Sequence, residues 1–107
     1  MKVLGIYGSI GFDGSLRESY IHDASATFFI DGEHICSVQE ERLSGLKYDG
    51  RYPEKSIDYV LGEIPKEEVD LVIFVDIGLE NWVKEHMFEG KPHKFLQEVF
   101  PNADIGH

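Results

Sequence analysis

The sequence of 107 residues contains very little cysteine, few basic residues and no long apolar run. Cys36 is the single cysteine, so no disulfide can form within the chain and nothing indicates an oxidising compartment. We expect its thiol to be buried as a small apolar group. No apolar run approaches the roughly 20 residues of a membrane span, and the run after Lys2 is too short for a secretory signal. The sequence therefore predicts a cytoplasmic protein without a membrane partner.

Basic residues are outnumbered by acidic ones, 10 against 20, and the formal net charge is −10. Such a charge repels the phosphate backbone of nucleic acids, so we exclude nucleic acid as a partner. One stretch departs from this balance, because residues 42–55 contain more basic than acidic side chains. Its basic members are Arg42, Lys47, Arg51 and Lys55. We expect an anion to bind along this stretch.

The first half of the chain has the pattern of three strands. Lys2 to Tyr7 is an apolar run suited to a central strand. Ala24 to Ile30 and His34 to Gln39 flank Asp31-Gly32, and this dipeptide between two strand-like runs predicts a tight hairpin. The second of these strands should end in Glu40-Glu41-Arg42, followed by a loop over residues 43–52.

The second half alternates helical and strand patterns. Pro53 should open a helix that Gly62 ends, with an apolar face of Ile57, Val60 and Leu61. Asp70 to Ile77 is apolar on both alternating faces, which predicts a strand buried between helices. Apolar stripes over residues 82–87 and 95–100 predict two short helices or one bent helix. Residues 102–107 should lead into a further strand that is absent. The fold class is α/β, a three-stranded meander with a parallel strand beside it and helices packed on the sheet.

His22 and Asp23 stand directly before the predicted hairpin, where loops meet at the strand ends. Histidine exchanges a proton near neutral pH, and the adjacent carboxylate could orient the ring or bind a metal. The alternative is a loop histidine beside a turn-forming aspartate. Two residues alone do not decide between these interpretations.

Arg42 and Lys47 are candidates for anion binding. Arg42 could grip a phosphate or carboxylate with two parallel hydrogen bonds, while Lys47 adds a point charge from the loop. The alternative is an exposed strand end at which Arg42 pairs with Glu40 and Glu41. Local sequence leaves both possibilities open.

Several spaced pieces of the sequence point to a family when they are taken together. They are Val3 to Ile6, His22 to Ala26, Asp31-Gly32, Gln39 to Arg42, Lys47 and Tyr52-Pro53. Their order resembles the N-terminal region of the NodU/CmcH-type carbamoyltransferases, closely over residues 1–62 and more loosely over residues 63–107. Jointly these pieces favour the functional interpretation of His22 and of Arg42.

The resemblance implies a fold and a chemistry. Members of the family have an N-terminal Kae1-like domain of the actin-like ATPase, ribonuclease H-like class, which moves a carbamoyl group onto a hydroxyl of a sugar or natural product. A YrdC-like domain supplies carbamoyl adenylate from ATP and carbamoyl phosphate. His22 matches the family's site histidine, with Asp23 beside it, and Arg42 and Lys47 match its basic loop. His107 matches the first histidine of a metal-binding pair for iron or zinc, whose second member is missing here.

The chain is several times shorter than such an enzyme, and the loop before His22 is longer and richer in glycine and serine than the family pattern. We therefore expect residues 1–107 to be the incomplete N-terminal part of a carbamoyltransferase domain, inactive alone, whose partners are small-molecule substrates and the remaining polypeptide. A homodimer is possible. The rival hypotheses are a non-catalytic acidic interaction module and a fragment of an actin-like sugar or acetate kinase.

Overall fold

The structure is a computed structural model that describes residues 1–8, 24–45, 52–75 and 91–106, with side chains from residue 94 onward in the last range. A five-stranded mixed sheet runs through these residues in the order β3-β2-β1-β4-β5. Its strands are β1 Lys2–Tyr7, β2 Ser25–Ile30, β3 Glu33–Gln39, β4 Leu71–Val75 and β5 Asp104–Gly106. The helices are α1 Glu40–Ser44, α2 Glu54–Leu61 and α3 Lys91–Val99, and a 3-10 turn spans Lys66–Glu68.

The central strand is β1, which pairs with an antiparallel neighbour on one edge and a parallel neighbour on the other. Gly5 lies opposite Thr27 of β2 and Ile73 of β4. β5 continues the parallel half, with Ile73 opposite Gly106. The predicted meander with a parallel strand beside it is confirmed. Residues 102–107 were expected to lead into a strand that is absent. That expectation is wrong, because Asp104–Gly106 is itself a strand of the sheet.

The β2–β3 hairpin forms where the Asp-Gly pair predicts it. Asp31 and Gly32 have φ values of 51° and 83°, and positive φ at both central positions is the requirement of a type I′ turn. Beyond the turn, the pairing register shifts between Phe28 and Phe29, and Ile35 is the extra residue on β3. Asp31 also accepts a hydrogen bond from the amino terminus of Met1, which lowers the pKa of this exposed carboxyl.

The apolar core lies on one face of the sheet. Partner residues on adjacent strands, such as Leu4, Phe28 and Val72, are fully buried there. Both long helices contribute to the same cluster, which therefore covers a single face. Their buried members are Ile57, Val60 and Leu61 of α2, Leu96 of α3 and Phe100 beyond it. The helix predicted from Pro53 to Gly62 is confirmed, and so is the second of the two helical stripes; the first stripe lies outside the described residues.

Strand β4 is buried on one face only, which corrects the expectation of a strand buried on both. Val72 and Phe74 are fully buried, whereas Ile73 and Val75 are 44% and 45% exposed. The difference arises because α2 and α3 both pack on the face that Val72 and Phe74 share. A continuous apolar run does not reveal how many of its faces are covered.

Substituting adjacent residues of β4 tests this arrangement. Val72→Ala should lower the free energy of unfolding by about 2 kcal/mol, because it leaves a cavity in the core. Ile73→Ala removes more atoms and should nevertheless cost less than about 1 kcal/mol, because nearly half of the side chain already contacts solvent. Urea unfolding of both variants measures the difference. Equal losses would show that both faces of β4 are buried.

Candidate functional site

The carboxyl ends of β1, β3 and β4 lie along one edge of the sheet, and β2 begins there. Tyr7 is opposite Ser25 on one side and Val75 on the other, and Ser25 is opposite Gln39. The Gly8 N–H donates a hydrogen bond to the Val75 carbonyl at 3.4 Å and extends this edge by one residue. Loops that leave these strands therefore begin side by side, which is where ligands collect in such sheets.

Arg42 lies at this edge on helix α1, which follows β3 without a connecting loop. The strand was expected to continue through Glu40-Glu41-Arg42, and the loop to begin at residue 43. That expectation is wrong: β3 ends at Gln39 and α1 runs to Ser44. Gly45 ends the helix with φ 75°, and its N–H donates to the Glu41 carbonyl. The turn of helix brings Arg42 back over the side of the hairpin.

An open cavity of about 680 Å³, here called the Arg42 cavity, lies against this helix and the hairpin. Several of its lining side chains are polar, and they combine one guanidinium, one amide and several hydroxyls: Arg42, Gln39, Ser25, Thr27, Ser37 and Tyr59. Cys36, expected to be buried, is half-buried and contributes its thiol to the wall. Such a lining suits an anionic or hydroxyl-rich ligand.

Hydroxyl groups on the hairpin form a short hydrogen-bonded chain. Ser37 Oγ donates to Thr27 Oγ1 at 3.0 Å, and His34 Nε2 lies 2.7 Å from the same Ser37 oxygen. The His34 ring also contacts Phe29 edge to face at 5.6 Å between centroids. Thr27 and Ser37 line the Arg42 cavity, so these hydrogen bonds fix the orientation of the hydroxyl groups in its wall.

Arg42 is exposed. Among the described residues it forms no ion pair with Glu40 or Glu41, which contradicts the alternative in which these acids pair with it. The ion pairs between them join Met1 to Asp31 and Lys66 to Asp58, the latter at 3.4 Å. Neither includes Arg42. Its guanidinium therefore faces the cavity without a carboxylate partner in the described part of the chain, and its donors are available to an anion.

Glu40 is the residue of this region that sequence analysis missed. Its side chain is only 3% exposed. The Ser56 N–H and the Ser56 hydroxyl both donate to Glu40 Oε1 at 2.8 Å. Because Ser56 is at the third position of α2, the carboxylate caps a helix from another element. A capping box has its serine before the helix and its acid inside it, so no local motif marks this pair.

The remaining predicted site residues lie outside the described residues. These are His22, Asp23, Lys47 and His107. Their nearest described chain neighbours are Ala24 before β2, Gly45 after α1 and Gly106 at the end of β5. Within residues 1–8, 24–45, 52–75 and 91–106, no group of three histidine, cysteine or acidic side chains comes together as a metal site would require. In the same part of the chain, no helix is long and apolar enough to cross a membrane.

Comparison with known proteins decides the family. The family model described as carbamoyltransferase N-terminus matches residues 15–102, which is most of the chain. The chain belongs to the carbamoyltransferase N-terminal family. The resemblance carried by the spaced motifs is thereby confirmed.

Individual proteins are also similar to the chain. The chain is 39% identical over 65 residues to the nodulation protein NolNO of Sinorhizobium fredii, a match that covers 57% of this chain. It is 40% identical over 60 residues, 54% of the chain, to an uncharacterized protein of Synechocystis sp.. An uncharacterized protein of Methanocaldococcus jannaschii is 33% identical over 51 residues, 48% of the chain. Each match covers 10% of the relative's own length, so this carbamoyltransferase N-terminal chain corresponds to a small part of those proteins.

Parts of two motifs that carry the family resemblance adjoin the elements that form the candidate site. Ala24 is the first residue of the second described range and directly precedes β2, and Gln39 directly precedes α1. Tyr52 and Pro53 precede α2, and the Tyr52 ring packs edge to face on Phe95 of α3 at 5.0 Å. Burial raises the pKa of the Tyr52 hydroxyl, and the negative charges of Glu54 and Asp58 add to the shift. This carbamoyltransferase motif thus has a packing role at the start of α2.

The stability of the domain should respond to alkaline pH through Tyr52. The raised pKa keeps the folded phenol protonated, whereas the unfolded phenol ionises near pH 10, so stability is lost as pH rises above that value. Between about pH 8 and about pH 11 the unaltered chain should lose about 1 kcal/mol more than Tyr52→Phe. Urea unfolding at both pH values measures this. Equal pH dependence in the two proteins would show that Tyr52 is accessible to water.

Proposed function

We propose that this chain is the N-terminal part of an O-carbamoyltransferase. The complete enzyme would take a carbamoyl group from carbamoyl phosphate, through carbamoyl adenylate formed with ATP, and transfer it to a hydroxyl of a sugar or natural product. The family match supports the transferase class. The observation that carries the proposal to this site is the Arg42 guanidinium, which has no carboxylate partner among the described residues and lies beside a hydroxyl-lined cavity.

The strand order supports an actin-like, ribonuclease H-like subdomain. An antiparallel meander joined to parallel strands, in the order β3-β2-β1-β4-β5, is compatible with that class of ATPase fold. In this interpretation residues 1–107 form an incomplete Kae1-like domain. The rest of the domain and the adenylate-forming domain would belong to the polypeptide that makes up most of the relatives' length.

His22 and Asp23 are our candidates for the proton transfer. The acceptor hydroxyl would give its proton to the His22 imidazole while its oxygen attacks the carbamoyl carbon. The bond from that carbon to the adenylate oxygen then breaks, and AMP leaves. Asp23 would orient the ring. The support from the described chain is the position of Ala24, which follows this pair and directly precedes Ser25 in the wall of the Arg42 cavity.

Arg42 and Lys47 are our candidates for binding the anionic group of the donor. A guanidinium offers two parallel hydrogen bonds to a phosphate or carboxylate, and a lysine adds charge with less geometric demand. Because the chain carries a net charge of −10, a phosphate would be repelled by most of its surface. The basic stretch from residue 42 to 55 is the exception to that repulsion.

A metal is not supported by the described residues. His107 would supply one imidazole but lies outside the described residues, and within them no three histidine, cysteine or acidic side chains come together. One or two ligands do not select between iron and zinc. We therefore derive no step of the transfer through a metal.

A non-catalytic acidic interaction module is the second candidate. The observation that supports it is the net charge of −10, which repels phosphate-containing substrates. Such a module would have no use for an arginine at a polar cavity that lacks a carboxylate partner in the described part of the chain. Sequencing the DNA downstream of codon 107 separates the two, since an enzyme requires the reading frame to continue into the rest of the fold.

Arg42→Ala should weaken binding of carbamoyl phosphate. Loss of a charge-assisted hydrogen-bond pair of about 1.5–3 kcal/mol corresponds to roughly a ten- to hundredfold increase in Kd. Isothermal titration of the purified chain with carbamoyl phosphate measures the change. Lys94→Ala, which removes the same charge from an exposed position of α3, is the matched control and should leave Kd within about twofold. Equal effects of the two substitutions would remove Arg42 from the site.

His22→Asn tests the transfer step in the full natural gene product. The variant should lose transfer of radiolabelled carbamoyl groups to hydroxyl acceptors, because asparagine does not accept the acceptor's proton. It should still form carbamoyl adenylate from ATP and carbamoyl phosphate. Thin-layer separation of carbamoylated acceptor from adenylate follows both reactions. Unchanged transfer in this variant would exclude His22 from the chemistry.

A further inference from the structure

Arg42 lies on a helix that has little stability of its own. α1 contains five residues, Gln39 provides no side-chain cap, and Glu40 is its one buried residue. A helix this short is not stable in isolation, because nucleation costs more than so few hydrogen bonds return. The position of Arg42 therefore depends on contacts between α1 and other elements, and Glu40 makes several of them.

Glu40 is held by two other elements. Its backbone N–H donates to the Ala24 carbonyl at 2.7 Å, which ties the start of α1 to the residue before β2. Its carboxylate accepts two hydrogen bonds from the fully buried Ser56 of α2, both at 2.8 Å. One residue thus connects the start of β2, the helix of Arg42 and the first turn of α2.

We propose that Glu40 is a positioning residue for anion binding, which fixes α1 against α2 and thereby holds the Arg42 guanidinium over the Arg42 cavity. It does not touch the anion and acts only through Arg42. The inference rests on the proposed function for its ligand, a phosphate-containing anion. The anchoring of α1 by Glu40 does not depend on that ligand.

For neutralisation of Glu40, a purely electrostatic role and a positioning role predict opposite changes in anion affinity. A buried carboxylate two residues from Arg42 repels an incoming anion, so neutralising it should tighten anion binding if charge were its whole effect. If Glu40 positions Arg42, the same change loosens α1 and weakens binding. Glu40→Gln keeps the shape of the side chain, which makes it the informative variant.

The first experiment measures the Kd of inorganic phosphate for the purified chain by NMR titration. Glu40→Gln should raise Kd, and Glu40→Ala should raise it by about tenfold, close to the effect of Arg42→Ala. Ser56→Ala, which keeps the carboxylate and removes one donor, should raise Kd by about threefold. Glu41→Gln is the matched control, because it removes an acidic charge from the next residue along α1. Tighter binding by Glu40→Gln would overturn the proposal.

A double substitution shows whether Glu40 acts through Arg42. In the Arg42→Ala background, Glu40→Gln should no longer raise the Kd of phosphate, because the guanidinium that it positions is gone and only the loss of a repelling charge remains. A residue that merely stabilised the fold would weaken binding by the same factor in both backgrounds. Additive losses would therefore contradict the positioning role.

Amide hydrogen exchange tests the anchoring without any ligand. The Gly45 N–H bonds to the Glu41 carbonyl within α1, and its exchange should accelerate at least about tenfold in Glu40→Gln and not in Glu41→Gln. Exchange of amides in β1 should stay unchanged, which excludes global unfolding. If the unaltered chain bound no phosphate but Gly45 responded as expected, the proposed function would fail while the anchoring stood. If Gly45 did not respond, the anchoring itself would be wrong.

Discussion

The pairing of β1 on both of its edges is the constraint on which the rest of this domain depends. One neighbour is antiparallel and the other parallel, so the carboxyl end of β1 meets the start of β2 and the carboxyl end of β4 at one edge. The alternation of β1 also places Leu4 and Ile6 in the core. A one-residue slip would turn both away from α2 and α3 and would at the same time move the edge at which the candidate site forms.

A buried acid in a strongly acidic chain requires a physical reason, and the geometry of Glu40 supplies one. Its carboxylate meets the N-terminal turn of α2, where backbone N–H groups lack partners and negative charge is favoured. The same residue starts α1, so the first residue of one helix accepts a hydrogen bond from the first turn of the next. Stability and site geometry are joined in this contact: the element that carries Arg42 is held by the group that caps α2.

Membership in the carbamoyltransferase N-terminal family agrees with a structure in which part of an apolar surface is left open. The sheet face opposite α2 and α3 exposes Ile73 in the middle of β4 and Val75 at its carboxyl end. Sheets of parallel strands are ordinarily covered on both faces. Each match to a relative also covers only 10% of that relative's length. Both facts agree with our proposal that the chain is one part of a larger enzyme.

Local chemistry made several elements predictable. Asp31-Gly32 specifies its turn because only a few residues accept positive φ, and Ile57, Val60 and Leu61 define the buried face of α2 by spacing alone. Periodicity did not show that Ile73 is exposed, that residues 104–106 pair with β4, or that Glu40 begins a helix rather than ending a strand. Those features depend on partners distant in sequence: the helices that cover one face of β4, the open edge that receives β5, and Ser56, which donates to a carboxylate 16 positions away.

The sequence by itself determined the turns, the amphipathic helix and the family, because these depend on short-range sterics and on motifs. Only the tertiary structure decided which face is covered and why an acid is buried beside Arg42, because hydrogen bonding and burial are satisfied between elements and not within them.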